Sequence, residues 1–401
     1  MKEAHLILLF DGTGLSEHDQ TLSNSRKIYH CLDDAPVPEG RIQEAKYYSG
    51  LGTSESNFFH RTWSQINGHG APEVLVESYL DLCEFARQNQ DAPLKVSIEG
   101  FSRGFAIGLV LEKMVHKLGI LDFEKIAREK GVSELSAKDK MEFIAEAYDQ
   151  VYVSKKKPSD TEIQSFRERY SFPEQPDFHL FAFDPVGTFA DHPKLKPFRA
   201  IKDEMGDLLV THGAKLPRTT KSYTEFIALH EKRSAYEVMT VDFPGHYDID
   251  RTRVYFEGDH TCIGGGSGLR EPLSDIAGLE MLQQMQEKAG VIINEETREH
   301  LFTPDMSLHL DNDYGKIPML GEDFFYAVTR AFVPFKRREL NPQEHELHES
   351  VHIRRALAEL EEKPPVEITT PSIEIVTSGQ EEEADAPLWH TGHPAALEYQ
   401  V

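Results

Sequence analysis

Cysteine is scarce in this chain. Cys31, Cys83 and Cys262 are an odd number at wide, unpatterned spacing, which argues against a disulfide framework and a Cys-based zinc site and fits synthesis in a reducing compartment. Long apolar runs are missing too. No window of about 18 apolar residues appears, so no segment reads as a membrane-spanning helix. Leu6 to Phe10 is too short for a signal-peptide core of ~7–15 residues. The chain therefore reads as made in the cytoplasm, with export by a route that needs no N-terminal signal left open. Positive charge is also in deficit. Against 68 Asp and Glu stand 43 Lys and Arg, a formal charge of −25 that repels phosphate backbones at long range and argues against general nucleic-acid binding. What is present is 401 residues, 39% of them hydrophobic, enough for one large core or two modest ones.

Short apolar runs ending in chemically loaded turns set the expected architecture. Leu6–Phe10 stops at Asp11-Gly-Thr-Gly14, Leu94–Ile98 at Glu99-Gly-Phe-Ser-Arg-Gly104, Phe178–Phe183 at Asp184-Pro-Val-Gly187, and Arg253–Phe256 at Glu257-Gly-Asp-His260. Such runs predict buried strands of a mainly parallel sheet, and functional groups of open α/β sheets gather at the carboxyl ends of the strands. Helical periodicity is expected over Pro72–Gln88, Phe105–Leu118 and Leu273–Ala289, with helices on both faces of the sheet. Asp122–Gln175 is charged and lacks a strand pattern, so it reads as a helical insertion that caps the sheet. Beyond about Glu361 nine carboxylates face one lysine among five prolines, a composition that predicts a disordered acidic tail over 361–401 behind a catalytic domain over 1–360.

Gly100-Phe-Ser-Arg-Gly104 fits the Gly-x-Ser-x-Gly nucleophile elbow, in which flanking glycines allow a sharp strand-to-helix turn that presents a serine hydroxyl. The pattern alone carries little, but a strand pattern before it and a helical pattern after it are the context the motif requires. A serine needs a base. His260 follows a strand and precedes Ile263-Gly-Gly-Gly266, read as a flexible loop, whereas no strand delivers its competitor His246. The orienting acid is expected at another strand end. Asp184 stands between nucleophile and base in chain order and precedes Pro185, which biases it toward an extended backbone. Asp11 and Asp259 are the rivals and a secondary candidate site, although Asp259, adjacent to His260, is poorly placed to serve it.

Asp11-Gly-Thr-Gly14 admits several readings. It fits an oxyanion turn, with backbone N–H groups of Gly12 and Thr13 joining that of Arg103. It also resembles the start of a haloacid-dehalogenase phosphatase, but the second aspartate of that motif is missing, and it fits a plain glycine turn capped by Asp11. Tyr48-Ser-Gly-Leu-Gly-Thr53 is Gly-rich but lacks the Lys-Ser/Thr ending of a P-loop.

Taken in order, Phe10-Asp-Gly-Thr13, Tyr48–Thr53, Gly100–Gly104, Phe183-Asp-Pro-Val-Gly187, Ala228-Leu-His-Glu-Lys-Arg233, Phe256-Glu-Gly-Asp-His260 with Gly264-Gly-Gly266, Leu273-Ser-Asp-Ile-Ala277 and His348-Glu-Ser-Val351 with Arg354 resemble the α/β-hydrolase family that includes the type VI secretion phospholipase effectors. The chain departs from that pattern at Phe105, Pro185 and Thr261-Cys-Ile263. The resemblance implies hydrolysis of phospholipid acyl esters, with Ser102 as nucleophile, His260 as base, Asp184 as orienting acid and no metal or organic cofactor. It also implies a lipid or other ester substrate, export as an antibacterial effector, and a secretion-apparatus or immunity protein as partner. A catalytically silent hydrolase-fold scaffold that binds a protein is the alternative.

Overall fold

The computed structural model describes residues 3–16, 19–51, 71–148, 150, 158–187, 214–231, 236–239, 241–242, 248–267, 271–305 and 346–352. In chain order its strands are Glu3–Phe10 (β1), Arg41–Tyr48 (β2), Leu94–Phe101 (β3), Asp177–Phe183 (β4), Ala214–Lys215 (β5), Thr220–Ala228 (β6), Val241–Asp242 (β7) and Asp250–Phe256 (β8). The helices are Asn24–Asp33 (α1), Ala71–Gln88 (α2), Arg103–Leu118 (α3), Phe123–Lys130 (α4), Ala137–Tyr148 (α5), Asp160–Tyr170 (α6), His260–Gly264 (α7), Glu271–Ala289 (α8) and Glu295–Leu301 (α9). Six strands form one sheet in the order β2-β1-β3-β4-β6-β8, and every pairing in it is parallel.

The continuous apolar runs are explained by burial on both faces, since successive side chains of a strand point to opposite sides. Leu6, Leu8 and Phe10 join Val96, Ile98, Phe178 and Leu180 in one core under α2 and α3. Ile7 and Leu9 join Phe101, Phe181, Phe183 and Phe226 in the other, under α1 and α8. The expected α/β fold, a parallel sheet between two helical layers, is therefore observed. No described helix is long and apolar enough to cross a membrane.

Strand order positions the site. From β1 the chain steps outward to β2, then returns to place β3 on the other side of β1, so the order reverses between β1 and β3. Ligands of open α/β sheets bind outside the carboxyl ends of the strands at such a reversal. In the strand register Phe10 faces Gly100, and Phe183 faces both Phe101 and Phe226, which brings the Asp11, Ser102 and Asp184 turns to one edge.

Several expectations are corrected. β3 does not stop at Ile98 but runs through Glu99 and Gly100 to Phe101. Two strands of this sheet escaped the sequence reading: β2, which carries no apolar run, and β6, whose apolar residues are confined mostly to Phe226–Ala228 at its end. The insertion over 122–175 supplies α4, α5 and α6, and its two ends are rooted at the far end of α3 from the elbow. Ser171 Oγ donates to the Leu118 carbonyl at 2.5 Å and the Asp122 N–H to the Tyr170 carbonyl at 2.8 Å. Both ends are thus pinned where the 16-residue α3 finishes, about 24 Å from its start at Arg103. Lys140 of α5 pairs with Glu84 of α2 at 2.5 Å, along the flank of the sheet. The acidic tail, His246 and Arg354 lie outside the described residues.

Candidate active site

Ser102 sits on the turn between β3 and α3 with φ 58° and ψ −126°. A non-glycine residue at such angles is strained by roughly 1–3 kcal/mol and is held there only by its surroundings. Those surroundings leave no room to relax. A Cβ at Gly104 would lie 2.3 Å from the Phe10 carbonyl oxygen, and one at Gly100 would lie 2.5 Å from the Phe105 backbone nitrogen. The elbow glycines are therefore required by close backbone approach. Phe105, where the family pattern differs, is fully buried and packs on Tyr223, so its ring belongs to the core.

The Asp184 turn is laced to the same elbow. The Ser102 N–H donates to the Phe183 carbonyl at 3.0 Å, and the Val186 N–H to the Ser102 carbonyl at 3.2 Å. Asp184 has φ 40°, in the left-handed region, so the extended backbone expected before Pro185 is overridden by these bonds and by its own N–H to the Phe226 carbonyl at 2.7 Å. Its side chain is fully buried. Oδ1 accepts from the Ala228 N–H at 3.0 Å, and Oδ2 lies 2.5 Å from Nδ1 of His260. A carboxylate only accepts, so Nδ1 carries the proton of that bond.

His260 opens α7, a short helical turn, rather than lying in the flexible loop expected from Ile263-Gly-Gly-Gly266. A Cβ at Gly264 would sit 2.1 Å from the Phe101 ring, so that glycine serves packing. The imidazole is held between the Phe101 ring at 4.5 Å and the Tyr236 ring at 4.7 Å. Because Phe101 precedes Ser102, the wall that holds the imidazole is contiguous with the elbow. Asp259 caps α7 by accepting from the Thr261 and Cys262 N–H groups at 3.1 and 3.3 Å, the local role its adjacency to His260 suggests.

Asp11 is buried, and both of its carboxylate oxygens are engaged by groups other than His260. It accepts from the Gly12 N–H at 2.7 Å, Ser23 Oγ at 2.5 Å and the Tyr47 hydroxyl at 2.5 Å. Burial pushes its carboxyl up to about 6, and these three bonds hold it from rising further. The Gly12 N–H is thus engaged, which removes it from the expected oxyanion set. The backbone N–H groups of Thr13 and Arg103 have no hydrogen-bond partner among the described residues. Tyr48–Thr53 supports this turn by contact: a Cβ at Gly50 would meet the Gly12 carbonyl oxygen at 1.7 Å.

Sequence reasoning left Ala228–Arg233 without a role. The His230 N–H donates to the Gly258 carbonyl at 2.9 Å and the Gly258 N–H to His230 Nδ1 at 3.2 Å. Buried Glu231 accepts the His260 backbone N–H at 3.3 Å. This segment therefore grips the loop that delivers the imidazole, and its only sequence signal was its place in the motif series. His348 stacks on Phe256 at 4.4 Å and donates its N–H to the Tyr255 carbonyl at 2.9 Å, docking the closing motif on the strand before His260.

The family model for the T6SS phospholipase effector Tle1-like catalytic domain matches residues 4–284, from β1 into α8. The chain belongs to that family. No curated protein matches it. Among solved structures it is similar to an uncharacterized protein from Pseudomonas aeruginosa, with 15% identity and a TM-score of 0.41 over 89% of this chain and 53% of that one. It is also similar to the Tle1 effector bound to the VgrG spike of the type 6 secretion system, with 16% identity and a TM-score of 0.33 over 68% of this chain and 53% of that one. The chain thus matches about half the length of each. In this Tle1-like domain every motif of the series that falls among the described residues lies at the sheet's carboxyl edge or packs against the segments that form it.

Proposed function

We propose that the chain is a serine ester hydrolase that cleaves acyl esters of phospholipids through Ser102, His260 and Asp184. The observation that carries the reading is the buried 2.5 Å pair of Asp184 Oδ2 and His260 Nδ1 beside a strained serine at the start of a helix. With Nδ1 protonated in the neutral ring, Nε2 is the unprotonated nitrogen that serves as base. It takes the Ser102 proton as Oγ attacks the acyl carbonyl, and the tetrahedral oxyanion is received by the Thr13 and Arg103 N–H groups. His260 then protonates the departing glycerol oxygen, and water releases the acyl group by the same steps in reverse order of roles.

Membership of the family of type VI secretion phospholipase effectors supports export as an effector, with a secretion-apparatus protein as partner. The Tle1 effector itself is bound to the VgrG spike. A fluorophosphonate probe should label the wild type and leave Ser102→Ala unlabelled, and p-nitrophenyl esters should be turned over by the first alone. Equal labelling of both would remove Ser102 from the mechanism. Absence of labelling and turnover in a folded wild type would favour the silent-scaffold alternative.

A further inference from the structure

We propose that the Arg103 side chain is the receptor for the phosphodiester of the lipid, which makes it the residue that selects phospholipids over neutral glycerides. The inference rests on the ester-hydrolase reading and assigns the substrate's charge to a residue of that site.

Arg103 follows the elbow serine, and its Nε donates to Thr13 Oγ1 at 2.7 Å. Its guanidinium carbon lies 6.0 Å from the centre of the Tyr236 ring, whose edge meets the His260 ring at 4.7 Å. One tyrosine thus separates the cation from the imidazole. The single bond to Thr13 uses one of five N–H donors, and both terminal amino groups are without a partner among the described residues. No described carboxylate pairs with this cation, and burial pulls its pKa down with only Tyr236 acting in the other direction.

That isolation stands out in a chain of 68 carboxylates. Lys27, which is fully buried, pairs with Asp275 and Glu271, and Arg253, half-buried like Arg103, pairs with Glu225. A half-buried guanidinium without a counter-ion is costly to keep, and the cost is recovered when a ligand brings the countercharge. Its planar fork matches two oxygens of a phosphate. In a glycerophospholipid the phosphodiester and the acyl carbonyl are joined through one glycerol, so a cation beside the nucleophile is where the phosphate falls when the ester is seated. A protein of net charge −25 repels an anionic lipid at long range, which makes a local cation at the mouth of the site the more necessary. Orienting Thr13 alone needs one donor and no charge.

The test uses the full chain carrying Ser102→Ala, so that lipids bind without turnover. Monomeric dihexanoyl phosphatidylglycerol and dihexanoylglycerol are titrated against it with Arg103 intact, Arg103→Gln or Arg103→Lys. Arg103→Gln is expected to lower the phospholipid-to-glyceride affinity ratio by about tenfold or more, the scale of a lost charged hydrogen bond, and Arg103→Lys to recover part of it. With Arg103 unchanged, glycerol 3-phosphate is expected to displace the phospholipid and glycerol is not, a measurement that survives if the variants fail to fold. An unchanged ratio, no phospholipid binding, or equal displacement by glycerol would overturn the proposal. Fluorophosphonate labelling of the wild type reports the hydrolase reading separately, so the two can fail independently.

Discussion

Ser102 at φ 58° and ψ −126° stores strain that a glycine would not. Ser102→Ala keeps the strain and Ser102→Gly releases it, so both should lose probe labelling while the glycine variant melts higher. A gain of ~1 kcal/mol, about 2 °C for a domain of this size, is expected in a thermal scan. Asp184→Asn keeps an acceptor for the Ala228 N–H but offers His260 the wrong partner, and loss of the acid in triads of this kind costs on the order of 10⁴ in kcat. Asp11→Asn should cost far less, because Asp11 faces Ser23, Tyr47 and Gly12 and not the imidazole. Near wild-type turnover in Asp184→Asn beside a dead Asp11→Asn would transfer the role.

At the scale of elements, the site depends on how closely α3 approaches β1. Gly104→Ala would drive a methyl into the Phe10 and Asp11 carbonyl oxygens, which are backbone and cannot rotate aside. Overpacking of this kind costs about 1–3 kcal/mol, and the shift falls on the turn that carries Thr13. The variant should melt several degrees lower and label more slowly than wild type; an unchanged labelling rate would show that the β1 turn does not serve the oxyanion. The elements that escaped the sequence reading did so for physical reasons. β2 is an edge strand of mixed, half-exposed residues, so it offers no buried face to read. β6 is buried but carries Ser222, Thr224 and Glu225, so its apolar run shrinks to Phe226–Ala228 at the end of the strand.

Across the whole molecule, carboxyls locked away from water tie stability to pH. Glu112 is fully buried on α3, one oxygen accepts from Thr220 Oγ1 at 2.5 Å, and burial pushes its pKa up to about 8. The folded chain therefore holds this proton where the unfolded chain, with a pKa near 4.5, has released it. Stability falls as pH rises between those values, because the folded state binds more protons. Glu112→Gln removes the titration. The melting temperature of the variant should gain on that of wild type from pH 5 to about pH 8 and level off above it, and parallel curves across that window would sink the assignment.

Local chemistry was legible without coordinates: the apolar runs, the glycines of the elbow, the acid before Pro185 and the histidine behind a strand all mark themselves through residue type and spacing. Strand order was not, because parallel pairing is chosen between segments far apart in the chain and depends on which buried faces fit together. For the same reason only the folded structure decided which carboxylate meets His260. Asp11, Asp184 and Asp259 are chemically alike, and what separates them is the neighbours that claim their oxygens: Ser23, Tyr47 and Gly12 for the first, the short helix for the last, and for Asp184 a left-handed turn that leaves one oxygen for the imidazole.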